Sequence, residues 1–403
     1  MANTLKFGNG EWYGKKDTIL AYNDENSNYK PLPFDFSRGS TPTGSKATTI
    51  NKDGLIEEVG NNIPRIDYKD NSEGALLLEP SRTNLVTQSN DFSQSAWTKS
   101  NTTITSNSII SPDGTLNASK LYRSSTGAYL QQNVSLIGEY SYSLFAKYGD
   151  LSFVRLLLRD SSNKNVYFNI ENGTVGTASS GLSASIDNLG NGWYRCSVVA
   201  AVSFTGVRIY PTQADNSTGG SNGYVHIWGA QLEQGSYPTS YIPTSESAVT
   251  RLADSCNQTV PDGVIGQTEG TMFVDCKINA QGTYTGFSLS DGTTNNEVIV
   301  RFTTTDRIEY YLRSGGSQPF GGGTTAFDTD SRVKVAIAYK SGDSVFYVNG
   351  TEVASSTNTT IPLNLSKVKF SRGNSTADFS GITKNFKVYN TRLSNSELQT
   401  LTT

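Results

Sequence analysis

The chain has 403 residues, 33 Lys and Arg against 36 Asp and Glu, one His and a formal net charge of −3. Charged residues make up 17%, below the ~25% of an ordinary soluble domain, and Ser, Thr, Asn and Gln supply the polar surface instead. This balance leaves no basic field for nucleic acid and no apolar run long enough for a membrane-spanning helix; three cysteines and one His provide neither a disulfide framework nor a multi-histidine metal site.

Length alone predicts two to three domains. Tyr (21) and Phe (17) far outnumber Met (2), which favours strands. Residues 1–85 are short segments punctuated by turns. Pro31, Pro33 and Pro42 exclude long central strands, and Lys52-Asp53-Gly54 and Ser72-Glu73-Gly74 read as turns beside short strands such as Ala75–Leu78. This segment has too little apolar content for a core of its own. It is therefore expected to be an arm that docks on a partner chain, a larger particle or the next domain. The opening MANTLKFGNG lacks the basic-then-apolar pattern of a secretory signal, so synthesis in a reducing cytoplasm is expected.

From 86 to 248 strands alternate with period two: Tyr140–Tyr148, Ser152–Arg159, Val166–Ile170, Trp193–Val202, Gly206–Tyr210 and Tyr224–Trp228. Asn-, Gly- and Ser-rich turns separate them, which predicts a β-sandwich or jelly roll. Alternation places Val154, Leu156, Leu158, Val166, Phe168, Val207 and Ile209 on one face. Arg155, Tyr167, Asn169, Arg208 and Tyr210 fall on the other. If these strands are neighbours, the second set forms a polar and aromatic groove suited to a saccharide. Trp97, Trp193 and Trp228 sit inside the strand patterns and read as packing residues. Cys196 alternates with apolar neighbours and reads as buried.

A Pro-marked exit, Tyr237–Thr244, leads to a second all-β unit over 249–403, with strands at Gly270–Ile278, Glu297–Thr303, Arg307–Arg313, Arg332–Lys340, Ser344–Val348, Lys367–Ser371 and Lys384–Tyr389. Only Ser394–Leu401 reads as helix, with Ser394 and Glu397 spaced as a capping box. Tyr310, Tyr311 and Phe320 flank Gly321–Gly323, read as a Gly-rich loop, and form a second candidate rim. The fold class expected is all-β: an N-terminal arm followed by two antiparallel sandwiches.

The stretches Ala336–Tyr339, Val345–Gly350, Phe379–Ile382, Phe386–Asn390 and Arg392–Ser394 resemble a laminin-G/concanavalin-A-like sandwich. Asn349-Gly350 within them is a strong hairpin signal. In the middle domain, Asp91-Phe92-Ser93, Ala96–Lys99, Gly190–Arg195 and Ile227–Glu233 are similar to carbohydrate-binding-module-like jelly rolls of phage virion proteins. Asn51–Glu57, Asn62–Tyr68 and Leu76–Asn84 resemble a segment common in phage tail-fibre and structural proteins. These resemblances imply a phage particle component assembled in the bacterial cytoplasm, bound to other virion proteins through its arm, trimeric, and adhering to host-surface glycans. A capsid or tail decoration protein without glycan binding is the alternative, and a polysaccharide depolymerase a further one.

Catalytic residues are not expected. His226 has no Ser or Cys nucleophile motif beside it. Glucanases of the concanavalin-A-like class usually carry Glu-x-Asp-x-x-Glu on one strand, whereas here Glu297 and Glu309 stand alone and Asp328-Thr329-Asp330 reads as a turn. No cofactor is expected beyond a Ca²⁺ site of the kind such sandwiches often hold. Asp91, Asp113 and Asp291 lie near turns but form no spaced ladder, so its ligands stay unassigned.

Overall fold

In the computed structural model the described residues are 4–7, 12–15, 18–25, 28–39, 47–279, 284–303, 307–324, 331–357 and 359–403. Pro42 and Asp328–Asp330 lie outside them. The regular structure of these residues is antiparallel strands and one C-terminal helix, so the all-β class is what the structure shows. The chain divides into two compact units. One comprises 1–42, 59–80 and 252–403, the other 43–58 and 81–251.

The second of these units is a jelly roll built on two long strands, Tyr129–Lys147 and Trp193–Thr212. They pair antiparallel from Leu130↔Ile209 to Lys147↔Trp193, with an irregularity between Asn133 and Leu136. Beyond that irregularity each long strand changes neighbours. The segment around Gln131 pairs with Thr98–Ser100, and the end of Trp193–Thr212 pairs with Phe153–Leu158. Phe153–Leu158 then pairs with Lys164–Asn169, which pairs with Thr174–Ala178. The other halves pair with Gly223–Gln234 and Ser183–Gly190. Both layers turn apolar faces to one core, where Val154, Leu156, Phe168 and Ile209 meet Tyr142, Leu144, Cys196 and Ile227. The inward set predicted by alternation is therefore the inward set observed. Two strands expected at 193–202 and 206–210 are one. Gly206 does not turn the chain; a Cβ there would stand 3.0 Å from the Gln132 carbonyl, so glycine serves a close strand approach. Trp193 and Trp228 pack with Ile56, Phe145 and Tyr241 in a smaller cluster, and Trp97 is buried against Phe92.

The other unit is a sandwich whose core combines both ends of the chain. Thr4–Phe7 pairs along Gly381–Tyr389, from Thr4↔Tyr389 to Phe7↔Phe386. Asn28–Ser37 pairs with Ser255–Thr259, and Ala75–Leu78 with Gly381–Thr383. Leu5, Phe7, Ile19, Phe34 and Phe36 enter the same core as Phe287, Phe370 and Phe386. The first 85 residues thus do not form a separate arm. Residues 1–42 and 59–80 lend apolar side chains to the core of this sandwich, while 43–58 and 81–85 belong to the jelly-roll unit. The breaks between units fall at 42/43, 58/59, 80/81 and 251/252, rather than at 85 and 248. Buried charges join distant segments within this unit. Asp254 accepts from Arg38 Nε at 2.8 Å, from Arg65 and from the Glu79 backbone N–H, while Arg65 also reaches Glu79 at 2.6 Å.

The helix Asn395–Thr402 starts at Ser394, whose hydroxyl accepts from the Glu397 N–H while the Glu397 carboxylate accepts from the Ser394 N–H. This is the capping box expected. Leu398 packs on Phe273, Ala336, Val345 and Tyr347.

Candidate functional site

Strand register assembles most of the predicted polar face in the jelly-roll unit. Arg155 lies opposite Tyr210 on one side and Tyr167 on the other. Arg208 lies opposite Leu157 and, across the long-strand pair, Gln131. Two cross-strand rows result. In one, Tyr129, Tyr210, Arg155 and Tyr167 follow one another; in the next, Gln131, Arg208, Leu157 and Asn165. The residues between them point into the core, so the rows are fixed by the same alternation that builds the fold.

The side chains interlock. The Arg155 guanidinium stands 4.7 Å from the Tyr210 ring centre and 5.4 Å from that of Tyr167, and its Nε donates to Asn165 Oδ1 at 3.0 Å. The Arg208 guanidinium stands 4.2 Å from the Tyr129 ring, its Nε donates to Gln131 Oε1 at 2.6 Å, and one Nη donates to the Tyr210 hydroxyl at 3.0 Å. Such cation–π contacts fix a guanidinium more firmly than solvent does. Burial pushes the Tyr167 phenol up, Arg155 opposes that shift and Asp215 adds to it. At the border, the buried Arg123 donates to the carbonyls of Ser221 at 2.9 Å and Gly219 at 2.7 Å, holding the turn after Thr212.

Asn169 does not join the rows. It pairs with Phe153, and its Oδ1 accepts from the Glu171 and Asn172 N–H groups at 3.0 Å each, forming the turn that follows its strand. Tyr129, Gln131 and Asn165 were missed. The strand carrying Tyr129 and Gln131 was read only from Tyr140 onward; the in–out pattern of Tyr129, Leu130 and Gln131 was the signal that could have found them.

The second candidate rim is not a rim. Tyr310 and Phe320 are core residues, their rings 5.1 Å apart, with Tyr310 stacked on Phe346 at 4.3 Å. Only Tyr311 faces the other way, beside Arg301 and Arg313. Gly321–Gly323 is the end of the strand Ser317–Gly323, not a loop. A Cβ on Gly321 would stand 2.5 Å from the Tyr311 ring and one on Gly322 2.8 Å from the Tyr310 hydroxyl, so the glycines make room for tyrosines.

His226 is buried between strands bearing Lys120 and Lys147, both opposite it in register. Burial, then Lys147 and Lys120, push its pKa down to about 4, and among the described residues its Nδ1 has no hydrogen-bond partner. Glu297 is buried against Arg372 at 3.1 Å, and Glu309 pairs with Arg301 at 2.6 Å. Asp91, Asp113 and Asp291 each cap their own turn, accepting from Ser93 and Gln94, from Ser111, Thr115 and Asn117, and from Thr293 and Asn296 respectively. Hydrogen bonds outweigh burial and hold these three carboxyls below their ordinary range. Among the described residues no group of three or more His, Cys, Asp or Glu side chains could hold a metal ion.

Residues 254–399 match the family model Laminin_G_3, described as the concanavalin A-like lectin/glucanases superfamily. No curated protein matches the chain in sequence. Among solved structures, the CBM40 of a Ruminococcus gnavus IT-sialidase bound to α2,3-sialyllactose is similar at 17% identity and a TM-score of 0.31, over 34% of this chain and 84% of that one. Domain 4 of AbnA, a GH43 extracellular arabinanase from Geobacillus stearothermophilus, in complex with arabinotriose, is similar at 15% identity and a TM-score of 0.31, over 42% and 84%. The heptameric SAP-like pentraxin from Limulus polyphemus is similar at 13% identity and a TM-score of 0.28, over 35% and 72%.

Proposed function

We propose that this chain is a non-enzymatic glycan-binding protein that adheres through the rows of Tyr129, Tyr210, Arg155 and Tyr167 and of Gln131, Arg208 and Asn165. The observation that carries this reading is the register. It gathers arginine, tyrosine and amide side chains from four strands onto one face, where apolar or scattered polar residues would suffice for folding. Arginine and amide groups hydrogen-bond sugar hydroxyls, and a rigid sheet fixes their spacing. The match of residues 254–399 to a superfamily of lectins and glucanases agrees with a carbohydrate ligand. A non-catalytic role is supported by the ion-paired states of Glu297 and Glu309 and by the weak basicity of His226.

The resemblance of residues 50–250 to phage virion proteins supports a setting on a phage particle, as a fibre or surface-displayed spike on tail or head. There, many copies would multiply weak single sites. A homotrimer is the assembly proposed, and mass measurement in solution checks it: a monomer at micromolar concentration counts against it. The glycan reading is tested by arrays of host-surface polysaccharides with the full chain. Arg155→Ala and Tyr210→Ala should each lower binding at least tenfold; unchanged binding sinks the site. A reducing-end assay on the bound polysaccharide should stay flat, and release of new ends would make the protein a depolymerase.

A further inference from the structure

The rings of this face are not open platforms, and that changes what the face can hold. A neutral sugar stacks its C–H patch on a bare aromatic face. Tyr167 and Tyr210 are only 4% and 6% exposed. The Arg155 guanidinium packs against both rings, the Arg208 guanidinium packs on Tyr129, and Tyr129 and Tyr210 pack on each other with centres 5.3 Å apart. The groups presented are guanidiniums.

Their hydrogen bonding leaves donors over. Arg155 spends only Nε, on Asn165, and Arg208 spends Nε and one Nη, all on neutral acceptors. Among the described residues neither guanidinium is ion-paired with a carboxylate. Asp215, which acts on Tyr167, gives its carboxylate to the Thr177 N–H and hydroxyl and to the Asn216 N–H. A planar guanidinium matches two oxygens of a carboxylate or sulfate at once. Two of them, held in place beforehand by stacking, would bind such groups with little ordering cost.

We infer that the glycan taken by this face is anionic, its carboxylate or sulfate groups held by Arg155 and Arg208. This rests on the glycan-binding reading above and narrows it. The experiment uses the full chain and matched polymers: polygalacturonate against its methyl ester, and dextran sulfate against dextran. At least one anionic polymer should bind ten times more tightly than its neutral counterpart. Binding should weaken as salt rises. The preference should vanish in Arg155→Gln and Arg208→Gln, each checked for an unchanged circular dichroism spectrum. Arg155→Lys, which keeps the charge but not the fork, should retain part of it. The two polymer pairs separate carboxylate from sulfate. If charged and neutral polymers bind alike and Arg155→Gln weakens both, the anionic inference falls while the glycan reading stands. An anionic preference that survives both Gln variants places the charge elsewhere and also overturns the inference. If no polymer binds, both readings fall.

Discussion

At the scale of single residues, burial decides chemistry. His226 has an ordinary value of 6.5 and is pushed to about 4 by burial and by Lys147 and Lys120, with Asp150 opposing. Between those values the unfolded chain binds the proton and the folded chain does not, so this group's contribution is complete above pH 6.5 and is lost as pH falls through 4. Its slope cannot exceed about 1.4 kcal/mol per pH unit for one proton. Urea titrations of the protein and of His226→Gln at pH 7, 5.5 and 4.5 should show the stability gap between the two changing in the variant's favour as pH drops; a constant gap would contradict the depressed value. Asp254 is the opposite case, a buried anion with Arg38 and Arg65 gathered on it. Asp254→Asn keeps the shape but removes the carboxylate that Arg38 and Arg65 share, leaving Arg65 with Glu79 as its ion-pair partner. The expected loss is about 3–5 kcal/mol, the usual cost of breaking a buried pair from one side, read as a lower urea midpoint for that unit.

At the scale of elements, what was legible in the sequence was whatever one strand shows by itself. Alternation separated Val154, Leu156 and Leu158 from Arg155, and the capping box at Ser394 and Glu397 announced the helix. Pairing between distant strands leaves no local mark. That is why Tyr129 and Gln131 escaped notice beside Tyr210 and Arg208, and why Asn169, correctly placed on its face, was not seen to serve the next turn. Glycine was misread for a related reason. Gly321–Gly323 looked like a loop because glycine often is one, but at Gly321 and Gly322, as at Gly206, the lack of a side chain admits a neighbouring ring or carbonyl. Gly321→Ala should therefore destabilise its unit by about 1–3 kcal/mol, as overpacking does, with Tyr311 displaced. Pairing the substitution with Tyr311→Ala should recover most of the loss, and an absence of recovery would show that the ring is not what the glycine accommodates.

At the scale of the whole molecule, continuity in sequence and continuity in the fold part company. The segment that matches the lectin/glucanase superfamily model, 254–399, looks like a domain. Yet one of its central strands, Gly381–Tyr389, takes Thr4–Phe7 and Ala75–Leu78 as partners, and Ser255–Thr259 takes Asn28–Ser37. Removing residues 1–80 would leave those edges open and uncover Phe370 and Phe386, against which Phe7 packs, itself backed by Phe34. It would also leave Asp254 without Arg38 and Arg65. Unpaired edges and an uncovered apolar face favour aggregation. A fragment of residues 252–403 should therefore be poorly soluble, or dispersed neither in its amide spectrum nor in a cooperative melt. The same fragment joined to residues 1–42 and 59–80 should regain both. Independent folding of 252–403, with a melting midpoint within a few degrees of the full chain's unit, would mean that the N-terminal strands only decorate a sandwich complete without them.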